Sequence, residues 1–102
     1  MERGAFVAHV VYVDRFGNLA LDAGHDEVAA LGLQLGDQVL VEVGDSLARE
    51  CRYVYTFAEV DRGVLLVYED SYRRLAVAVR DSSAAEHLAL AADGEVTIRR
   101  LG

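Results

Sequence analysis

Apolar and polar positions alternate along most of this chain, and such alternation predicts short β-strands. The apolar-rich stretches fall at 5–13, 19–22, 39–43, 49–57, 64–68, 75–79 and 95–99. Between them lie polar segments rich in Gly, Asp, Asn and Ser, which favour turns. Short strands at intervals of roughly 8–12 residues are typical of a small antiparallel β-barrel or sandwich.

Residues 82–88 have a different pattern, which predicts one short helix. Ser82 or Ser83 can cap this helix, and Glu86 follows Ser83 at the spacing of a capping box. The stretch 25–31 is compatible with one or two helical turns, and the pattern leaves it open. No long helix separates consecutive strands, as a parallel α/β sheet would require. The predicted fold class is therefore all-β, with one short helix.

The chain has 102 residues, 53% of them apolar, which suits a single domain over 1–102 with its own core. Its net charge is −7, and its basic residues are scattered arginines, so we expect no nucleic-acid partner. No apolar run approaches the ~20 residues that cross a bilayer, so we expect no membrane partner and a cytoplasmic location. The single cysteine, Cys51, is expected to be an inert, partly buried thiol.

The common catalytic and metal-binding motifs are missing from the sequence. There is no phosphate-binding Gly-x-x-x-x-Gly-Lys loop, no His-Glu-x-x-His and no paired-cysteine zinc spacing. The histidines His9, His25 and His87 are widely separated. We therefore predict no catalytic residue and no metal site in this chain.

One polar cluster, residues 14–18, interrupts the apolar pattern with Asp14, Phe16, Gly17 and Asn18. It combines a carboxylate for a cation, an aromatic face and a carboxamide that can both donate to and accept from a purine edge. The same residue types are also common in a plain turn between strands, because Asp, Asn and Gly favour turns for backbone reasons.

A second polar cluster extends from residue 69 to residue 85. It contains the loop 70–74 and the predicted start of the helix at Ser82 or Ser83. Free amides at a helix start suit a polar or anionic group, and small residues let a flat ligand approach the backbone. A capped helix preceded by a surface loop explains the same residues without a ligand.

In order along the chain, these segments resemble the C-terminal domain of the S-adenosylmethionine hydrolase (hydroxide adenosyltransferase) and halogenase family, which includes the fluorinase and the chlorinase. Residues 11–18 resemble its Asp-x-Phe-Gly-Asn segment, and residues 55–58 its Thr-Tyr-Ala segment. Residues 71–85 resemble its long segment from a serine to Ser-Ala-Ala, and residues 92–96 its closing Gly-Asp-x-Val.

The resemblance implies an antiparallel β-barrel packed against an N-terminal α/β domain that this sequence does not include. It also implies a homotrimer, with the ligand between the N-terminal domain of one subunit and the C-terminal domain of its neighbour. The family displaces methionine from the ribose 5′ carbon with water or halide. S-adenosylmethionine is then the substrate, no cofactor is expected, and the groups that activate water lie in the N-terminal domain.

The resemblance also implies roles for individual residues. Asp14 would hold the methionine ammonium, and Ser71 would bind the amino-acid end. Asn18 would bind the adenine edge, Phe16 would lie beside the ring, and the backbone of the helix start would read the exocyclic amine. The full set of ligand-binding residues predicted in this way is Asp14, Phe16, Asn18, Phe57, Ser71, Ser83, Ala84 and Ala85.

This chain departs from the family pattern mainly near the amino-acid end. Arg73 replaces a glycine, Arg80 replaces an asparagine, and Asp81-Ser82 replace a glycine pair. Adenine recognition is therefore better supported than methionine recognition. The prediction for adenine requires the bend at 16–18 and the helix start at 83–85 to meet at one purine-sized hollow.

Three functions fit these observations. The first is an adenosine- or S-adenosylmethionine-binding domain that is not catalytic alone. The second is a standalone, non-catalytic β-barrel that serves assembly or protein interaction, which the changed loop favours. The third, an autonomous hydrolase, needs an acid–base or nucleophilic pair that the sequence does not reveal.

Overall fold

A computed structural model describes residues 4–45 and 47–101, so the two ends of the predicted 1–102 domain lie outside the described part. Within these residues the chain forms seven strands, two α-helices and one 3₁₀ turn. The strands are β1 (Ala5–Val13), β2 (Leu19–Gly24), β3 (Gln38–Val43), β4 (Leu47–Tyr53), β5 (Leu65–Glu69), β6 (Arg74–Val79) and β7 (Glu95–Arg100). The helices are α1 (His25–Leu31) and α2 (Ala84–Leu88), and the 3₁₀ turn is Phe57–Glu59.

The strands close into a barrel in the order β1-β2-β6-β5-β4-β3-β7, with β7 paired to β1. This confirms the predicted all-β class and resolves the choice between barrel and sandwich. The region 25–31, left open by the sequence, is a helix. None of the helices in the described part of the chain is long and apolar enough to span a membrane.

The pair β4–β5 is parallel, while the other neighbouring strands of the barrel run antiparallel. A parallel neighbour requires a crossover, and residues 54–64 supply one by passing over the outside of the barrel. The predicted strand 49–57 was therefore too long, because β4 ends at Tyr53. Beyond it the Val54 amide donates to the Val67 carbonyl, and the chain then leaves the barrel wall.

In strand β6 the side chains alternate in size and not in polarity, because both faces of the strand are buried. All of Leu75, Ala76, Val77, Ala78 and Val79 are buried. The three larger side chains point into the main core inside the barrel, where Cys51 also lies. Ala78 instead belongs to a second cluster, so β6 is covered on both faces. Large residues therefore face inward and small ones outward.

Cys51 is 7% exposed, and burial raises the pKa of its thiol to about 12. A thiol with so high a pKa stays protonated at neutral pH and is a poor nucleophile. The prediction of an inert thiol agrees with this environment.

The crossover is fixed to the barrel by a small apolar cluster on its outer surface, which we call the outer cluster. Its buried members are Val54, Val60, Leu66 and Ala78, with Tyr68 packed against them. Arg80 fastens the same segment, because its guanidinium donates to the Val60 carbonyl at 2.6 Å. The outer cluster thereby positions the 3₁₀ turn that carries Phe57.

Helix α2 begins after Ser83, which is one of the two caps that the sequence left open. The Ser83 hydroxyl accepts the Glu86 amide at 3.2 Å, which is the first half of the expected capping box. Ala84 and Leu88 are buried against the barrel end. A helix of five residues is not stable in isolation, so α2 depends on the packing of these two buried side chains against the barrel.

Candidate functional site

The bend between β1 and β2 is organised by the Asp14 carboxylate. Its Oδ1 accepts the backbone amides of Phe16 and Asn18 at 2.8 and 2.9 Å. Its Oδ2 accepts the Asn18 side-chain Nδ2 at 3.0 Å. Within the described residues, the Asn18 Oδ1 makes no hydrogen bond, so one edge of a firmly oriented carboxamide is available to a ligand.

The bend and the start of α2 are in direct contact. The Ala85 amide donates to the Gly17 carbonyl at 3.0 Å. Gly17 packs so closely on Ser83 that an added Cβ would lie 2.0 Å from the Ser83 Oγ. The two segments that the sequence analysis placed together therefore lie together at one end of the barrel.

A hollow of 490 Å³ opens beside this contact, and we call it the rim hollow. Its lining residues are Phe16, Asn18, Phe57, Val79, Arg80, Asp81 and Ser82. Phe16 and Phe57 provide aromatic surface, and Asn18 provides the polar edge. A hollow that combines aromatic surface with polar side chains, here including Arg80, Asp81 and Ser82, can hold a flat heterocycle that carries hydrogen-bonding groups.

The helix start supports the rim hollow from behind. The Ser83 hydroxyl caps α2, Ala84 is fully buried, and the Ala85 amide is bound by the Gly17 carbonyl. The segment 80–82, just before them, supplies the lining. The roles predicted for Ser83, Ala84 and Ala85 toward an exocyclic amine stay predictions. The Ala85 amide already donates to Gly17, so it is not available to an acceptor of a ligand.

A smaller depression of 220 Å³, which we call the trough, runs along the outer barrel wall and shares Asn18 with the rim hollow. Its centre is a row of residues in register across four strands: Tyr12 pairs with Ala20, Ala20 with Ala76, and Ala76 with Tyr68. The alanines form its floor and the two tyrosines its walls. Its polar and remaining lining residues are Asp14, Asn18, Asp70, Ser71, Tyr72 and Arg74.

The structure therefore brings Asp14, Asn18 and Ser71 to one depression, although Ser71 is far from the other two in sequence. Phe57 lies at the junction of the rim hollow with a third, wider groove that also contains Ser71 and Tyr68. The rings of Phe57 and Tyr68 are 5.0 Å apart between centroids, at an angle of 59°. The three depressions form one connected surface around this aromatic pair.

Negative charge collects around the trough. Burial, followed by the carboxylates of Asp14 and Asp70, raises the pKa of the Tyr68 hydroxyl. In the adjoining groove, burial and a 3.0 Å hydrogen bond to Glu69 raise the pKa of Tyr53 to about 12. Both phenols are therefore neutral donors at physiological pH.

Sequence reasoning missed the two tyrosines of the trough. Tyr12 and Tyr68 come from distant strands, and only the strand register aligns them. Asp70 and Arg74 belong to the loop 70–74 of the second polar cluster, but the sequence analysis assigned no ligand role to them. It also missed the pair formed by Ser82 Oγ and His87 Nε2, which are 3.2 Å apart. Among the described residues no carboxylate contacts this histidine, so the pair lacks the third group that orients the base in a catalytic triad.

The loop 70–74 repeats the geometry of the bend 14–18. In each loop the amide of the fourth residue donates to the carbonyl of the first at 3.0 Å. In each, the aspartate Oδ1 accepts the amides two and four residues further on. Among the described residues, the Asp14 carboxylate alone of the two accepts a further hydrogen bond, from the Asn18 carboxamide.

The repeated geometry makes Asp70 a matched control for Asp14. We expect Asp14→Ala to lower the free energy of unfolding by about 2 kcal/mol, because three donors lose a charged acceptor in a partly buried site. Asp70→Ala should cost about 1 kcal/mol, because its two donors are exposed to water. Urea denaturation followed by circular dichroism measures both. Equal losses would contradict a structural role for the Asp14–Asn18 bond.

The chain is a small closed seven-stranded β-barrel whose rim hollow and trough meet on one surface. Residues 8–97 match the family model for the SAM hydroxide adenosyltransferase C-terminal domain, and the chain belongs to this family. No curated protein sequence matches the chain.

Two solved structures are similar to this chain. An uncharacterized conserved protein from Thermotoga maritima is 31% identical, with a TM-score of 0.92 over 98% of this chain and 38% of that chain. A conserved hypothetical protein from Thermus thermophilus is 33% identical, with a TM-score of 0.64 over 93% of this chain and 34% of that chain. The chain thus spans between a third and two fifths of the length of these proteins.

Proposed function

We propose that this chain is the adenosine- and S-adenosylmethionine-binding C-terminal domain of an S-adenosylmethionine-cleaving enzyme. In this proposal it contributes the adenine side of a site shared with an N-terminal α/β domain of a neighbouring subunit. It is not catalytic alone, and methionine is displaced from the ribose 5′ carbon only in the complete enzyme. A cytoplasmic location and a homotrimeric assembly remain predictions of the same proposal.

One observation carries the proposal: the rim hollow and the trough meet at Asn18. A purine and an amino-acid chain are the two ends of S-adenosylmethionine, and the two depressions differ in volume, 490 Å³ for the rim hollow and 220 Å³ for the trough. Phe16 and Phe57 would contact the purine, and Asn18 would bind its edge through the free Oδ1. Asp14 and Ser71 would lie at the amino-acid end.

Both depressions are open to solvent on one side, which is expected of half a site. Phe16 is 64% exposed and Tyr72 is 81% exposed, so aromatic surface remains uncovered around them. A neighbouring domain that covered this surface would exclude water from the ligand and strengthen every polar contact in the site. Affinity for the nucleoside should therefore depend on the partner domain.

Calorimetric titration tests this dependence. Adenosine and S-adenosylmethionine should release little heat with the chain alone and clear heat in the presence of an N-terminal domain of the family. Heat in neither case would favour the second candidate, a standalone barrel for assembly or protein interaction. Phe16 and Tyr72 are exposed, and exposed aromatic side chains are also common in protein–protein interfaces. This observation favours the standalone barrel as the second candidate.

Asn18→Ala should lower the affinity for adenosine, measured in the presence of the N-terminal domain, by about tenfold or more. The substitution removes the carboxamide that forms the polar edge of the rim hollow. Gln34→Ala removes an exposed carboxamide outside the site and serves as the control. A thermal melt of each variant separates loss of binding from loss of folding. Unchanged adenosine affinity in a folded Asn18→Ala protein would remove Asn18 from the binding site.

A further inference from the structure

Ser82 and His87 form a hydrogen-bonded pair at the edge of the rim hollow. The Ser82 Oγ and the His87 Nε2 are 3.2 Å apart, and Ser82 is one of the residues that line the hollow. Among the described residues, neither side chain makes a further hydrogen bond or ion pair. The function proposed above gives the pair no role, although it lies beside the place predicted for the purine.

A tight turn at the end of β6 fixes the position of Ser82. The Ser82 amide donates to the Val79 carbonyl at 3.1 Å, and Asp81 between them has φ +60°. Val79 is buried, so the turn is attached to the barrel core. His87 is held separately in α2, which the buried Leu88 anchors. The serine and the imidazole are therefore positioned by two different elements.

The Asn18 carboxamide presents only an acceptor to a ligand in the rim hollow. Its Nδ2 donates to Asp14 Oδ2 at 3.0 Å, so the Oδ1 is the atom that remains available. An imidazole nitrogen that accepts the Ser82 hydroxyl proton does the same for Ser82, because the serine oxygen then has only lone pairs to offer. With this proton position, the hollow presents two oxygen acceptors.

Most donors in the lining of the rim hollow are already engaged. The backbone amides of Arg80 and Ser82 donate to other carbonyls of the chain at 3.1 Å. The Arg80 guanidinium donates to the Val60 carbonyl at 2.6 Å, toward the crossover. Asp81 is itself an acceptor, and its Oδ2 lies 3.0 Å from the Arg62 Nε. A ligand edge that matches this lining carries N–H donors.

We propose that Ser82 and Asn18 together select a purine with an amino group at C6, and that His87 orients the Ser82 hydroxyl. The His87 Nε2 accepts the Ser82 proton, and Ser82 Oγ and Asn18 Oδ1 accept the two N–H groups of the amine. A 6-oxo purine would place a carbonyl oxygen against the same two oxygens, and enclosed acceptors without a donor are costly. Ser82 is then a specificity-determining residue, and His87 is a positioning residue.

This inference rests on the proposed function, and it adds how adenine is distinguished from other purines. Ser82 belongs to the Asp81-Ser82 pair that replaces a glycine pair of the family pattern. A glycine offers no hydroxyl at this position, so the pair with His87 is a feature of this chain. The departure from the family pattern thereby has a positive role on the adenine side of the site.

Three nucleosides test the selection, each titrated calorimetrically in the presence of the N-terminal domain. They are adenosine, purine riboside, which lacks the amine, and inosine, which has an oxo group in its place. The buffer is mildly alkaline, where an ordinary histidine is neutral. Adenosine should bind about 25-fold more tightly than purine riboside, because each of the two hydrogen bonds contributes about fivefold. Inosine should bind more weakly than purine riboside.

Two variants assign the selection to the pair. Ser82→Ala should lower the preference for adenosine over purine riboside by about fivefold and leave the affinity for purine riboside unchanged. His87→Ala frees the Ser82 hydroxyl to donate, so it should raise the affinity for inosine by about fivefold. His9→Ala removes an exposed histidine on β1, outside the rim hollow, and should change none of the three affinities. Thermal melts confirm that each variant is folded.

The proton position on His87 can be measured in the chain alone. Long-range ¹H–¹⁵N spectra distinguish a protonated from an unprotonated imidazole nitrogen, and the Nε2 of neutral His87 should be unprotonated. Ser82→Ala removes the donor and should shift this nitrogen toward its protonated form. A protonated Nε2 in the neutral imidazole of the unmodified chain would overturn the inference.

Two results of the titrations would also overturn it. They are an unchanged ratio of adenosine to purine riboside affinity in folded Ser82→Ala, and an unchanged inosine affinity in folded His87→Ala. With either result, adenosine binding itself would leave the proposed function intact. No adenosine binding in the presence of the N-terminal domain would reject the proposed function, and this inference with it.

Discussion

Gly17→Ala should lower the free energy of unfolding by about 3 kcal/mol, from steric overlap together with backbone strain. The new Cβ would lie 2.6 Å from the Ser83 Cβ and 2.9 Å from the Ser83 Cα, so the helix start itself must move. Gly17 also has φ +83°, where an L side chain adds roughly 1–2 kcal/mol of strain. For a chain of this size, the melting temperature should fall by roughly 15 °C.

Gly36→Ala provides the matched control for this prediction. Gly36 has φ +95°, so alanine is strained there too, but an added Cβ meets no atom within 4 Å. Its cost should be about 1–2 kcal/mol, the conformational part alone. Thermal melts of the two variants measure the difference, which is the contribution of the contact between the bend and α2. Equal melting temperatures would contradict that contact.

The same variant links stability to the site. Pushing α2 away from the bend breaks the 3.0 Å bond from the Ala85 amide to the Gly17 carbonyl, and it moves the segment 80–82 that lines the rim hollow. Adenosine binding in the presence of the N-terminal domain should therefore fall in Gly17→Ala and persist in Gly36→Ala. A site on another face of the barrel would respond equally to both.

Local sequence pattern was sufficient to predict the seven strands and to narrow the cap of α2 to Ser82 or Ser83. Strand β6 is the clearest case, because Leu75, Val77 and Val79 fill the barrel while the alanines between them face outward. The end of β4 was not predictable in this way. Residues 54–57 continue the β-like composition, and the chain departs only because Val54 and Val60 pack in the outer cluster.

The candidate site likewise has one part that the sequence could predict and one part that it could not. The polar cluster at 14–18 is contiguous, so its carboxylate, ring and carboxamide could be recognised from the sequence. The trough could not, because Tyr12, Ala20, Ala76 and Tyr68 become a row only through the register of four strands. Likewise, the parallel pairing of β4 with β5 depends on a crossover whose path no local pattern determines.

Leu66→Ala should lower the free energy of unfolding by about 3 kcal/mol, as expected when a fully buried leucine leaves a cavity. Leu66 is 0% exposed and lies in the outer cluster, beneath the crossover 54–64. Its loss should also loosen the crossover locally, since Val54 and Val60 lose their shared neighbour. Phe57, carried by that segment, would then be displaced from the Tyr68 ring, 5.0 Å away between centroids.

Leu75→Ala is the control that separates these two effects. Leu75 is equally buried, and it lies on the neighbouring strand β6, but its side chain packs in the main core inside the barrel. Urea denaturation should show similar losses for both variants, because both remove the same atoms from a closed environment. Only Leu66→Ala should selectively speed hydrogen exchange at the Val60 and Gly63 amides, which bond within the crossover or to Arg80. Selective loosening in both variants would mean that the crossover is held by the main core, and that the outer cluster does not position Phe57 independently.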